Sequence, residues 1–318
     1  MSNLPKPLHQ PVMLDQAIKG LDIQANAWYV DATFGRGGHT NAILQQNANV
    51  IAFDFDQQAI EYGEQKFAAE IAEKKLVLVR ANFAQLANKI GQLKTKVKID
   101  QIKGILFDFG TTQDQLKSAT RGFSFDQPDN ELDMRMDQRL GVKASDLLMV
   151  LTTQQLADLF KNYGGETQGF KIAKAISRYR GKKRTQPITT AGQLTSIIDQ
   201  VKTRTGKLHP ATKVFQALRI AVNDELSNIE QGLEQSLKIL NAPARIVTIA
   251  FHQGEDRIAK QTFKKWAEQS KGEVLTDKPL TASETEIKDN PASRSAKLRI
   301  FNLLELLRNK NRLISDRF

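Results

Sequence analysis

The sequence predicts an α/β protein with a parallel sheet and a small inserted helical domain. Three observations carry that expectation. Apolar runs alternate with helix-like segments through the first third of the chain. A glycine-rich turn follows the first of these runs. A gap of about 130 residues then separates the fourth run from the fifth, far longer than an ordinary crossover. Continuous apolar strands alternating with helices indicate a parallel sheet covered on both faces.

In chain order, WYVDATFG supplies the first strand, ending near Asp31, and a helix-like segment runs from Thr40 to Gln46. VIAFDFD (Val50 to Asp56) is the second strand and is followed by a helix over Gln57–Lys74. KLVLVRANF is the third strand, ending near Phe83, with a helix over Phe83–Leu93 behind it. GILFDFG (Gly104 to Gly110) is the fourth strand. The stretch RGFSFDQPDNELDMRMD then reads as irregular, and residues from about 144 to 205 read as helical. We therefore place the α/β domain at 1–135 and 208–318 and the helical insertion at 136–207. After the insertion, His209-Pro210 opens a long helix, proline suiting a first turn in which its missing N–H costs nothing. Phe215, Leu218, Val222, Leu226, Ile229, Leu233, Leu237 and Leu240 recur at helical spacing and give that helix one apolar face for the sheet. ARIVTIAFH (Ala244–His252) is the fifth strand, and AKLRIFNLL adds an edge strand near Ala296–Leu304.

At 318 residues, 40% of them hydrophobic, the chain can bury a real core. Its net charge of +11 favours an anionic macromolecule, nucleic acid above all, as partner. The absence of cysteine excludes disulfides, thiolate zinc sites and cysteine nucleophiles. The four histidines are far apart and show no metal-ligand spacing, so no metal is expected. No apolar run approaches the roughly 20 residues a bilayer span needs, and the first residues lack the apolar core of a signal peptide. The expectation is a soluble, cytoplasmic protein with no membrane partner.

The run DATFGRGGH, Asp31 to His39, carries the chemistry. Gly35, Gly37 and Gly38 permit left-handed backbone and close approach of a ligand. Compared with the dinucleotide pattern G-x-G-x-x-G, Thr40 stands where the third glycine belongs. Asp54 ends the second strand about 20 residues on, where an acid can bond ribose hydroxyls. NAD and S-adenosylmethionine both offer such a ribose. Asp31 and Asp108, ending the first and fourth strands, would repel a pyrophosphate but suit ammonium and sulfonium charges. Asn82-Phe83 could frame an adenine. Acids at strand ends are also ordinary turn formers; three of them beside a glycine turn favour a site, and an NAD(P) oxidoreductase is disfavoured by the missing glycine.

Longer strings carry a family resemblance. HQPVM, DATFGRGGHT, RGFSF, LDMRMD, AKAI with QPITT, HPATKVFQALRIAVNDELSNIEQGL, FHQGEDRI and NPASRSAKLRI run almost from end to end of the chain. Together they closely resemble the bacterial small-subunit rRNA cytosine-N4 methyltransferases, the MraW family. The resemblance implies a class I, Rossmann-like methyltransferase core with an inserted helical domain. It implies S-adenosylmethionine as donor and a cytidine of the rRNA decoding region as acceptor. Matched position by position, the family's cofactor contacts fall on Gly37, Gly38, His39, Asp54, Phe83, Asp108 and Gln115.

The chain also departs from the family pattern. The family's DLGVSSPQLD is here DFGTTQDQLK, which keeps Asp108, Gly110, Gln115 and Leu116 but replaces a proline-stiffened turn and adds a negative charge. SFHSLEDR becomes AFHQGEDR, Ala250 to Arg257, and the YGEERFA region becomes YGGETQGF from Tyr163.

On the acceptor side, Asp108 is expected either to accept a hydrogen bond from cytosine N4 or only to bind cofactor. Phe123 and Phe125 could stack on a base drawn out of its helix, or form a small core. His252 could line the pocket or serve structure alone. Lys171, Lys174, Arg178, Arg180, Lys182, Lys183 and Arg184, in a stretch without one acidic residue from Thr167 to Ile198, are expected to contact RNA phosphates. The leading expectation is an enzyme methylating rRNA within a small-subunit particle; the other is a non-catalytic RNA-binding assembly factor of the same fold. Monomer and homodimer both stay open.

Overall fold

The computed structural model describes residues 10–110, 121–181, 185–203 and 209–305. The strands are β1 (Trp28–Asp31), β2 (Asn49–Asp54), β3 (Leu76–Arg80), β4 (Ile102–Asp108), β5 (Ala244–Ala250), β6 (Gly272–Val274), β7 (Leu280–Thr281) and β8 (Lys297–Leu303). They form one sheet in the order β3-β2-β1-β4-β5-β8-β6, with β7 also paired to β8. The first five strands pair in parallel, while β8 runs antiparallel to β5 and β6.

The helices are α1 (Leu14–Leu21), α2 (Gly38–Leu44), α3 (Gln57–Lys66), α4 (Ala68–Ala72), α5 (Leu86–Leu93), α6 (Ala144–Val150), α7 (Thr153–Gly164), α8 (Gly169–Tyr179), α9 (Ala191–Asp199), α10 (Thr212–Asn223), α11 (Glu225–Ile239), α12 (Gln253–Glu268) and α13 (Glu284–Asp289). Among the described residues, no helix is long and apolar enough to cross a membrane.

The chain divides into two compact units, one made of Met1–Gly110 with Leu226–Phe318 and the other of Thr111–Glu225. In the first unit the period of two along each strand sorts the core into two layers. Val30, Ile51, Phe53, Ile105, Phe107 and Ile246 face a layer closed by Leu86, Ile229, Leu233 and Trp266. Tyr29, Val50, Ala52, Leu106 and Val247 face the opposite layer, closed by Met13, Ala17, Leu21 and Ile43. Both faces being covered is why these strands read as unbroken apolar runs.

The second unit is helical. Thr152 and Thr190 start α7 and α9 through capping boxes with Gln155 and Gln193. The irregular stretch before α6 is fixed by side chains. Asn223 donates to the Met134 carbonyl and accepts from the Met136 N–H, both at 2.8 Å. Asp133 and Arg135 form a two-pronged pair at 2.6 and 2.8 Å. Gly122 sits at φ +65°, where a Cβ would collide with the Glu131 carbonyl.

Three expectations are corrected here. The strand near Ala296–Leu304 is not an edge: β8 lies between β5 and β6, because the short β6 adds outside it. The single long helix is two, since Asp224 takes a left-handed conformation (φ 49°) between α10 and α11. Its proline lies ahead of the first turn, which begins at Thr212. The apolar stripe divides accordingly: Ile229 and Leu233 join the sheet core, whereas Phe215 and Leu218 are buried within the other unit. The helical unit is also wider than 136–207, taking in 121–135 and α10, because α10 packs along α7 and Asn223 ties down the loop at Met134.

Candidate active site

The site is set by the sheet. Strand order reverses at β1, which has β2 on one side and β4 on the other. Loops at the carboxyl ends of such neighbouring strands diverge and leave a crevice. Asp31, Asp54 and Asp108 are the last residues of β1, β2 and β4, so all three carboxyls stand at this edge.

They are held differently. Asp31 is fully buried; it accepts from the Thr40 hydroxyl at 2.7 Å and the Thr33 N–H at 3.2 Å. Asp54 accepts from the Gly35 N–H and the Asp56 N–H, each at 2.9 Å, and so pins the glycine turn to the neighbouring strand. The Asp108 N–H donates to the Thr33 hydroxyl at 2.8 Å, while its carboxyl, 19% exposed, lies 3.8 Å from His39 Nδ1.

The turn itself depends on Gly37. It ends the loop at φ +69°, just before α2, and a Cβ there would stand 2.6 Å from the Phe67 ring and 2.7 Å from Phe34. Gly38 is covered by Pro11, whose Cγ would lie 2.9 Å from an added Cβ. His39 is buried, with Nε2 at 3.2 Å from the Val12 carbonyl. A carbonyl can only accept, so this contact keeps a proton on Nε2 and turns Nδ1 toward Asp108. Pro11 and Val12 belong to HQPVM, and the neighbouring Gln10 carbonyl accepts from Asn290 of NPASRS at 3.0 Å. Strings far apart in sequence thus buttress one turn.

Burial shapes the electrostatics. Asp108 is pushed up to about 7 by desolvation, against the hydrogen bond from the Gly110 N–H, with the charges of Asp31 and Glu255 adding to the rise. Asp54 is pushed up to about 6, again by desolvation, against the N–H groups of Asp56 and Gly35. Asp31 is raised too, by burial opposed by His39 and Thr40. Buried carboxylates crowded together invite a ligand with hydroxyl donors and positive charge.

Beside β3, Phe83 is half-buried and packs edge-on against Phe107 at 5.6 Å. Asn82 spends its side-chain oxygen on the Ala84 N–H at 2.8 Å, so it shapes the turn behind the ring. His252 caps α12: its Nδ1 accepts from the Gly254 N–H at 3.1 Å, and Glu255 returns a bond to the His252 N–H at 3.1 Å. That is a structural station. Nearby, Asp256 of the same motif pairs with buried Arg299 on β8 at 2.7 Å.

In the helical unit, Phe123 is buried with the Arg121 guanidinium 5.6 Å over its ring. Phe125 stacks on His209 at 4.4 Å and meets Phe215 edge-on at 5.6 Å. Both rings are engaged in packing. Lys171, Lys174 and Arg178 are exposed on α8. Arg180 is a correction: it is 4% exposed, and its guanidinium donates to the carbonyls of Leu148, Met149 (2.9 Å) and Leu151 (2.5 Å). A helix leaves its last carbonyls without partners, and a cation satisfies them well; Arg180 closes the end of α6 and does not present its charge to RNA. Gln115, Lys182, Lys183 and Arg184 lie outside the described residues.

Thr33 and Thr40 are the site residues that sequence reasoning did not single out. In the sequence Thr40 reads only as a missing glycine, yet its hydroxyl anchors Asp31. The signal was the pairing of an acid at a strand end with a hydroxyl on the first turn of the next helix.

A family model described as the MraW methylase family matches residues 6–304. A Sulfurihydrogenibium protein named Ribosomal RNA small subunit methyltransferase H is 42% identical over 297 residues, covering 92% of this chain and 98% of that protein. Proteins of the same name from Desulfotalea psychrophila and Coprothermobacter proteolyticus are 42% and 40% identical, each over 92% of this chain and over 97% and 95% of their own lengths.

Proposed function

The chain belongs to the MraW methylase family, and from that premise we propose that it transfers a methyl group from S-adenosylmethionine to N4 of a cytidine in the decoding region of small-subunit rRNA. We place the reaction in the cytoplasm, on rRNA within a small-subunit particle. The observation that carries the reading is the meeting of Asp54, Asp108 and the Gly37 turn at the carboxyl ends of the parallel strands β1, β2 and β4.

These residues fit S-adenosylmethionine better than a dinucleotide. A pyrophosphate would face the row of buried carboxyls, whereas an ammonium and a sulfonium offset them. Asp54 would accept from the ribose hydroxyls, and Phe83 would border the adenine. The Gly37–His39 backbone, Asp108 and Gln115 would complete the cradle. When bound, S-adenosylmethionine supplies an electrophilic methyl group on a positively charged sulfur.

The chain's own contribution is orientation and a proton acceptor. The lone pair of cytosine N4 is delocalised into the ring and is a poor nucleophile. Asp108, as carboxylate, accepts a hydrogen bond from the N4 amino group and aims the lone pair; it takes the N4 proton as the new N–C bond forms. The Thr33 hydroxyl holds the Asp108 backbone N–H, and His39 Nδ1 stands 3.8 Å from the carboxyl. Lys171, Lys174 and Arg178 hold RNA phosphates.

Incubating the protein with tritiated-methyl donor and unmethylated small subunits, followed by nucleoside analysis of the rRNA, tests the proposal. Label recovered as N4-methylcytidine is expected. Subunits that bind but carry no label would leave an assembly factor in its place.

A further inference from the structure

We propose that the exposed face of α8 is a contact for single-stranded RNA, in which an unpaired base stacks on the Phe170 ring while the strand's phosphates lie along Lys171, Lys174 and Arg178. It rests on the RNA reading above and names the form of RNA bound.

The helix has an apolar face and does not need Phe170 for it. Ile172, Ala173 and Ile176 are buried within the helical unit. Phe170 is 55% exposed in the first turn of the helix. A lone exposed apolar side chain means little; its neighbours give this one meaning. Phe170, Lys174 and Arg178 stand at steps of four and so share a face, with consecutive members about 6 Å apart along the axis. Lys171 flanks them, and Tyr179, 38% exposed, ends the same exposed arc. No carboxylate occurs from Thr167 to Ile198 to neutralise the row.

A cationic face with an aromatic ring set in it matches single-stranded nucleic acid. Phosphates take the charge, and any base offers its flat face to the ring. A duplex keeps its bases stacked on one another and has none to give. Phe123 and Phe125, the other aromatics weighed for this role, are spent on Arg121, His209 and Phe215.

Fluorescence anisotropy with the full-length protein tests this. The probes are labelled oligouridylate and the same strand annealed to oligoadenylate, each over a salt series. Phe170→Ala should weaken binding of the single strand at least about five-fold, leave its salt slope unchanged, leave duplex binding unchanged and leave Tm unchanged. Phe170→Tyr should restore the single-strand affinity. Wild-type affinity in the alanine variant, or equal loss on both probes, would overturn the proposal. The double variant Lys174→Gln/Arg178→Gln separates the two readings. A shallower slope with a silent Phe170→Ala overturns the stacking proposal and leaves the RNA reading it rests on standing; an unchanged slope removes the phosphate contacts, and both readings of this face with them.

Discussion

Asp31 is closed off by Thr33 and Thr40, whereas Asp108 keeps part of its carboxyl accessible beside His39. That geometry makes Asp31 a strut and leaves Asp108 free for the proton-accepting role proposed above. With Asp108 pushed up to about 7, kcat/KM for the cofactor should rise with pH and level off above that value, because the free enzyme must deprotonate the acid before it can accept a hydrogen bond. Initial rates at low cofactor across pH 5.5–9, a range of roughly two units either side of that pKa, check this. Asp108→Asn should abolish that inflection and lower kcat by about 10²-fold or more at saturating cofactor, with cofactor affinity changed far less. Lost affinity with intact turnover would assign Asp108 to cofactor binding alone. The same raised pKa sets a sign for stability. The folded state holds protons on Asp54 and Asp108 that the unfolded chain releases near pH 4, so their contribution is complete below that range and is lost as pH rises through about 6 to 7; raised Asp31 acts in the same direction. Thermal melts of the ligand-free protein should show Asp108→Asn raising Tm at pH 8 more than at pH 4.

At the scale of elements, β1 to β5 and the strand-end acids were legible because doubly covered strands leave unbroken apolar runs that stop at polar residues. The short β6 and β7 were not: segments of three and two residues carry no period to read. The break at Asp224 was hidden because the apolar stripe stays in phase across it. α10 ends where Asp224 turns left-handed, directly after Asn223, whose side chain serves a loop some 90 residues earlier in the chain. Arg180 shows the same limit. Within a run of cations nothing in the sequence separates a solvated side chain from one folded back onto a helix end. Its substitution is correspondingly informative. Arg180→Ala removes charge-assisted hydrogen bonds to carbonyls at the end of α6 and should cost about 3 kcal/mol. Lysine, a point charge without the planar fork, should recover only part. Urea unfolding would register this as a lower midpoint at constant m, and the salt slope of RNA binding should not move.

Across the whole molecule, a chain of net charge +11 carries an acidic row at the sheet edge of one unit and, in the other, a basic stretch of sequence without an acidic residue. The two substrates have opposite character, so salt should act on them unequally. An RNA strand held by several lysines and arginines releases counterions on binding, and each contact with a single strand contributes about 0.7 to the slope of log affinity against log salt. Three contacts, from Lys171, Lys174 and Arg178, predict a loss of about ten-fold or more in kcat/KM for rRNA between roughly 50 and 200 mM salt. At the proposed site the cofactor would meet buried carboxyls at short range, where added ions screen little. Its kcat/KM, measured at saturating RNA, should change by less than about two-fold over the same range. Replacing Lys171, Lys174 and Arg178 together with glutamine should flatten the first dependence and leave the second alone. Equal salt sensitivity for both substrates, or a steep RNA dependence surviving in the triple variant, would move the RNA-binding charge off α8 and onto another part of the basic surface.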